Sequence, residues 1–171
     1  MTELNRIRVK TLAGFLFIIV PFIGWLPWWL YRVEGATPFS GHPLQWIGMG
    51  LILNGVGLAG WCVQLFMAIG KGTPLPTSPP KYFVAAGPYR FVRNPMVLGL
   101  LLVLGGEAAL YQSKAVWLYG LLIFAAFYLY IRLVEEPQLS RRFGASYDAY
   151  RRQVPRWIPR RISGALPPTT Q

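Results

Sequence analysis

The sequence predicts an all-α fold: a polytopic membrane bundle of four transmembrane helices, with both termini cytoplasmic and a C-terminal cytoplasmic helix. Three observations carry that expectation. Hydrophobic residues make up 54% of the 171 residues and charged residues only 13%, against ~25% charged in an ordinary soluble domain. Four apolar runs follow one another at about residues 11–31, 44–69, 96–111 and 115–131. The basic residues gather in alternate connecting segments, which is the asymmetry that orients helices in a bilayer.

The first run follows Arg6, Arg8 and Lys10, as a secretory leader would. No small-residue cleavage site follows it, and Pro21, Trp25, Pro27, Trp28 and Trp29 suit a retained signal anchor better. Trp is at home where the bilayer meets water, because its ring is apolar and its N–H polar. The second run easily exceeds the ~20 residues that a crossing helix needs. The third and fourth are shorter and are joined only by Gln112, Ser113 and Lys114, so they read as a tight helical hairpin. Helices are the sensible form for all four, because lipid offers no partner to a backbone N–H or C=O.

The segment between the second and third runs holds Gly70, Gly72, Pro74, Pro76, Pro79 and Pro80, a composition that excludes a long helix. After the fourth run, Leu139, Phe143, Tyr147 and Tyr150 recur at intervals of three or four. That period predicts a helix over residues 135–152 lying on the membrane surface. Residues 1–162 read as one domain without internal repeats, and residues 163–171 as a disordered tail.

Of the 17 Lys and Arg, 15 lie before the first run, between the second and third, or after the fourth; the other two are Arg32 and Lys114. Both termini and the 70–95 segment are therefore expected in the cytoplasm. The net charge of +11 flanks apolar runs and accompanies no groove-reading motif, which points to anionic lipid headgroups and away from nucleic acid. Cys62 stands alone inside an apolar run and His42 alone in a loop, so neither a disulfide nor a metal site is expected. Small size and the lack of an organelle signal suggest a bacterial or archaeal plasma membrane.

Two motifs have plain structural explanations. Gly55, Gly57 and Gly60 match the spacing of a dinucleotide-binding turn, but they lie inside the second apolar run with no strand before them. Small residues there serve helix packing. Glu107, in the third run, is by type a functional candidate; near the outer end it could instead reach water or Lys114, and the structural reading is preferred.

A third pattern is richer. Residues 87–96 (GPYRFVRNPM) enter the third run and residues 132–137 (RLVEEP) leave the fourth on the same membrane side. Tyr89, Arg90, Arg93, Asn94, Glu135 and Glu136 thus converge. Headgroup anchors and a helix exit would explain the pattern as well as a site would.

The stretches KYFVAAGPYRFVRNPMVLG and EEPQLSRRFGASYDAYRRQVPRWIPR, with GKGTPLP before them, resemble the membrane methyltransferase family that contains isoprenylcysteine carboxyl methyltransferases and phospholipid (phosphatidylethanolamine) N-methyltransferases. The resemblance covers about residues 70–160, with motifs in the expected order; the first two runs match only in character. It implies transfer of a methyl group from S-adenosylmethionine to a lipid-like or prenylcysteine-like acceptor at the cytoplasmic face. It implies cofactor contacts at Lys81, Tyr82, Phe83 and Val84, at Tyr89, at Asn94, Pro95, Met96 and Val97, at Glu135, and at Gly70 and Gly72. It implies catalytic roles for Glu136 and Arg132. Asn94 stands where the carboxyl branch has histidine, Val97 where both branches often have tyrosine, and Arg132 one residue beyond the usual substrate-binding arginine.

The acceptor stays open between a carboxylate or thiolate, which needs no strong base, and an amine, which must lose a proton. A small thiol or amine acceptor is an alternative. So, in a different class, is a non-catalytic scaffold or transporter subunit, although intramembrane polar residues and repeated halves are not evident.

Overall fold

The computed structural model describes residue 9 and residues 14–35, 39–73 and 80–160. Arg6, Arg8 and Lys10 of the expected anchor, and the tail 163–171, lie outside the described residues. Every regular element among them is helical, in keeping with the all-α class.

The chain enters through a π-helical stretch, Phe15–Trp25, that continues into α1, Leu26–Gly35. Pro21 inside the stretch has no N–H to donate, and Leu26 N–H bonds to Pro21 O, the five-residue span of a π turn. Gly35, at φ +100°, ends α1 in a conformation that costs glycine least.

Helix α2, Pro43–Ala68, is 26 residues long. His42 caps it: its Nδ1 accepts from Leu44 N at 3.2 Å. Gln45 Oε1 accepts from Ser40 N at 3.0 Å and His42 N at 3.2 Å. Gln45 Nε2 then donates to Leu110 O at 3.3 Å, tying the start of α2 to the end of α3, Pro95–Tyr111.

These two helices run antiparallel and almost touch. A Cβ built on Gly48 would stand 2.6 Å from Gly106 O, and one on Gly55 2.5 Å from Gly99 O. The reverse clashes hold for Gly99 against Gly55 O and Gly106 against Gly48 O. Glycines seven residues apart on each helix therefore face each other two by two, and backbones approach as membrane helices with small residues do. Only Gly55 of the spaced-glycine motif belongs to this seam; added Cβ atoms at Gly57 and Gly60 meet open space.

Helix α3 ends at Gln112, φ 52°, and Ser113 opens α4, Lys114–Tyr130, accepting from Val116 N at 3.1 Å. The expected hairpin is there. Glu34, at the end of α1, accepts from Ser113 Oγ and from the N–H groups of Lys114 and Ala115 at 3.2 Å each. A carboxylate from one helix thus satisfies the exposed amides that start another.

The fourth run does not stop where the sequence suggests. Helix α4 passes through a π turn, Ile131–Glu135, directly into α5, Glu136–Gln153, so that helical chain continues well beyond the apolar run. The surface helix predicted from 135 is its continuation. The wide turn stands where Pro137 withholds a donor, and Gly144, at φ 51° and ψ −131°, kinks α5.

Helices Pro43–Ala68 and Lys114–Gln153 are long and apolar enough to cross a membrane, and Pro95–Tyr111 is a shorter apolar helix. Large apolar side chains point outward: Leu53 is 71% exposed, Leu121 62% and Phe17 79%. A water-facing surface of that kind would be costly; lipid is the solvent that suits it.

Candidate functional site

The site forms where the loop after α2, the start of α3 and the α4–α5 junction meet. Gly70 O accepts from Lys81 N at 2.7 Å and Tyr82 N at 3.2 Å, which closes the Pro/Gly-rich loop on itself. A Cβ on Gly70 would stand 2.8 Å from both Phe66 O and Pro80 Cβ, so the closure requires glycine. The chain then leads, through an extended Ala86, into a short 3-10 turn, Gly87–Arg90, which buries Tyr89 edge-on against Phe66 at 5.6 Å.

Helix α5 packs over this segment through aromatic rings. Phe83 meets Tyr150 at 4.9 Å, Phe143 at 5.5 Å and Tyr147 at 5.8 Å. Tyr150 Oη donates to Tyr89 O at 2.7 Å. The chain beyond α5 returns across the start of α3: Arg93 N donates to Pro155 O at 2.9 Å, Asn94 Nδ2 to Arg156 O at 3.1 Å, and Arg160 N to Phe91 O at 3.0 Å.

At the centre is Glu136. Its Oε1 accepts from an Arg93 terminal nitrogen at 2.8 Å and from Arg156 Nε at 2.9 Å; its Oε2 accepts from an Arg156 terminal nitrogen at 2.7 Å. Two guanidinium groups therefore neutralise one buried carboxylate, the arrangement that makes such burial tolerable. The bond to Glu136 holds the Arg156 guanidinium above its usual pKa.

Beside this triad is a cavity of about 430 Å³, a size suited to one small-molecule ligand. Tyr82, Phe83, Val84 and Tyr89 line it from the loop, and Asn94, Met96 and Val97 from the start of α3. Glu135 and Glu136 line it from the helix junction. Asn94 and Glu135, far apart in sequence, thus border one space. Glu135 lies beyond the apolar part of its helix; burial first, and the neighbouring Glu136 second, push its carboxyl above the usual carboxylate range. Burial likewise pushes the Tyr147 hydroxyl up to about 12.

Other residues expected at the site lie behind or away from the wall. Gly70 and Gly72 are buried and shape the loop, with Gly72 N donating to Phe66 O at 3.2 Å. Pro95 is buried as the first residue of α3, and Lys81 is exposed. Arg90 and Arg132 are also exposed and outside the lining, so the geometry gives Arg132 no place beside the cavity.

The sequence reading missed a whole wall. Arg142, Gln138 and Tyr130 face the cavity, as do Leu139, Phe143, Tyr147 and Tyr150. The three- and four-residue spacing of the last four predicts a stripe that packs on the membrane surface. The same stripe closes over residues 80–89 instead.

A family model described as phospholipid methyltransferase matches residues 43–146, more than half of the chain. Methanethiol S-methyltransferase 2 of Bradyrhizobium diazoefficiens is 38% identical over 76 residues, which is 42% of this chain. The match spans 27% of that relative's own length. No solved structure matches the chain.

Proposed function

The chain belongs to the phospholipid methyltransferase family, and on that premise we propose that it is an integral membrane methyltransferase that uses S-adenosylmethionine and methylates a lipid-like or prenylcysteine-like acceptor. One observation carries the proposal: Asn94 and Glu135, from distant parts of the chain, border a single cavity at one end of the bundle. In our reading all four apolar runs cross the bilayer, and that end faces the cytoplasm. Arg132, in the π turn, and Arg141, Arg151 and Arg152, on α5, are exposed, where anionic headgroups would attract them.

The wall suits the donor. Glu135 has no ion-pair partner among the described residues and can take a cationic group. Phe66, Val84 and Met96, with the ring of Tyr82, offer an apolar slot for adenine. When bound, S-adenosylmethionine supplies an electrophilic methyl group on a sulfonium. The protein's own residues hold, orient and shield the partners, which is what an in-line displacement needs. Both Glu136 oxygens are engaged by arginines, so we assign it to positioning: it fixes Arg93, and through Arg156 the returning chain, against the cavity.

The acceptor would enter from the bilayer. Tyr130 lines the cavity and is 43% exposed on the outer face of α4, where lipid would stand. A second reading, a small thiol acceptor, also has an observation behind it. No histidine lines the cavity and Glu135 is its one unpaired carboxylate among the described residues. An amine acceptor would need a base, whereas a thiol, with pKa near ~8.5, ionises readily. The relative named for methanethiol methylation points the same way.

The test is to incubate the purified full chain in lipid nanodiscs with methyl-labelled S-adenosylmethionine and a panel of phospholipids, prenylcysteines and small thiols. Label in a lipid or prenylcysteine product supports the first reading. Label in thiols alone selects the second. No transfer to any acceptor, with no donor binding, overturns both.

A further inference from the structure

Four charged side chains line the cavity: Arg93, Glu135, Glu136 and Arg142. Arg93 is bound to Glu136 at 2.8 Å and Arg156 to the same carboxylate at 2.7 Å, so that the triad carries one net positive charge. That leaves Glu135 and Arg142, one negative and one positive, with no ion pair among the described residues. They stand seven residues apart on one continuous helix, close to two full turns, so they share a face about 10 Å apart along the axis. The Arg142 guanidinium lies over the Phe143 ring, 5.3 Å from its centre, and Phe143 is itself part of the cavity wall. A cation held there by a ring face keeps its planar fork of donors free for a carboxylate.

We propose that Glu135 and Arg142 together form the receptor for an α-amino acid zwitterion, Glu135 taking the ammonium and Arg142 the carboxylate of the methyl donor. The inference rests on the donor reading above and assigns a binding residue that the motifs did not indicate. Of the two arginines in the motif that enters α3, Arg90 is exposed and off the wall, and Arg93 lines the cavity with one terminal nitrogen bound to Glu136 and its buried Nε without a hydrogen-bond partner among the described residues.

Truncating the ligand tests this. Binding of S-adenosylmethionine and of its decarboxylated analogue is measured by calorimetry on the full chain in detergent, for wild type, R142Q, R142K and E135Q. Size-exclusion profiles and helical circular dichroism check the fold of each variant. A charge-assisted bond lost from a solvated mouth weakens binding by about tenfold or more. R142Q should therefore lose about tenfold toward S-adenosylmethionine and nothing toward the decarboxylated analogue, with R142K between. E135Q should weaken both, because both keep the ammonium. Equal loss of the two ligands in R142Q, or no loss of either, overturns the receptor while leaving the methyltransferase proposal standing. Failure of the wild type to bind either ligand overturns the donor reading and the receptor with it.

Discussion

Arg156 grips Glu136 at two points, Nε to Oε1 at 2.9 Å and a terminal nitrogen to Oε2 at 2.7 Å. The glutamate side chain is only 10% exposed, while that of Arg156 is 26% exposed. Removing one member of a buried pair leaves a charge without compensation and costs several kcal/mol; partial solvent access to Arg156 reduces this. Arg156→Ala should lower stability by about 2 kcal/mol, read as a fall in Tm. Glu136→Ala should cost more, because it strands Arg93 as well. Equal Tm values for wild type and both variants would show that the triad does not hold the returning chain.

The glycine seam gives an internal control within six residues. Gly55→Ala places a methyl 2.5 Å from the Gly99 carbonyl, a backbone atom that cannot swing aside. Overpacking of this kind costs about 1–3 kcal/mol. Gly57→Ala and Gly60→Ala meet open space and should be neutral, or stabilising by up to about 1 kcal/mol through helix propensity. Thermal unfolding of the three variants side by side decides it; a Gly57→Ala loss matching that of Gly55→Ala would refute the seam.

How much of this was legible depends on what local pattern encodes. The apolar runs gave helices α2, α3 and α4 nearly to the residue, since a helix in lipid needs only a long apolar stretch. The clustering of Asn94 with Glu135 was expected from the motifs that enter α3 and leave α4. Pairing was not. The resemblance gives Glu135 to the cofactor and Glu136 to catalysis, but their pairing is not local: the returning chain, which brings Arg156 to the second of them, makes one a paired strut and the other an open charge. The facing of Gly48 with Gly106 needs the register of two helices, which one helix cannot reveal. Helix α5 was recognised by its period, but its direction depends on the π turn before Pro137 and the kink at Gly144, and its rings therefore joined the cavity unannounced.

Glu34 offers a pH test at the other end of the molecule. Hydrogen bonds from Ser113 first, and then from Ala115 and Lys114, lower its pKa below the usual 4.5. A depressed carboxylate stabilises the fold when ionised. Its contribution is complete above the unfolded pKa and is lost as pH falls through the lower folded value. The Tm difference between wild type and Glu34→Gln should therefore be constant near neutrality and shrink toward zero in acid. A difference that grew on acidification would mean that the carboxylate does not cap α4.

Glu135 carries the opposite shift, and ligand binding should reveal it. Burial and the Glu136 charge raise its pKa in the free protein. A raised carboxylate favours folding in its protonated form, so its contribution is present below the unfolded pKa and lost as pH rises through the folded one. An ammonium placed against it favours the ionised form and pulls the pKa back down. Binding of S-adenosylmethionine at a pH near the raised value should therefore release a proton, up to about one per site, and affinity should weaken as pH drops through that value. Calorimetry in buffers of different ionisation enthalpy measures the released proton directly. In Glu135→Gln both the release and the pH dependence should vanish. Persistence of both in that variant would place the titrating group elsewhere and detach Glu135 from the ligand's cation.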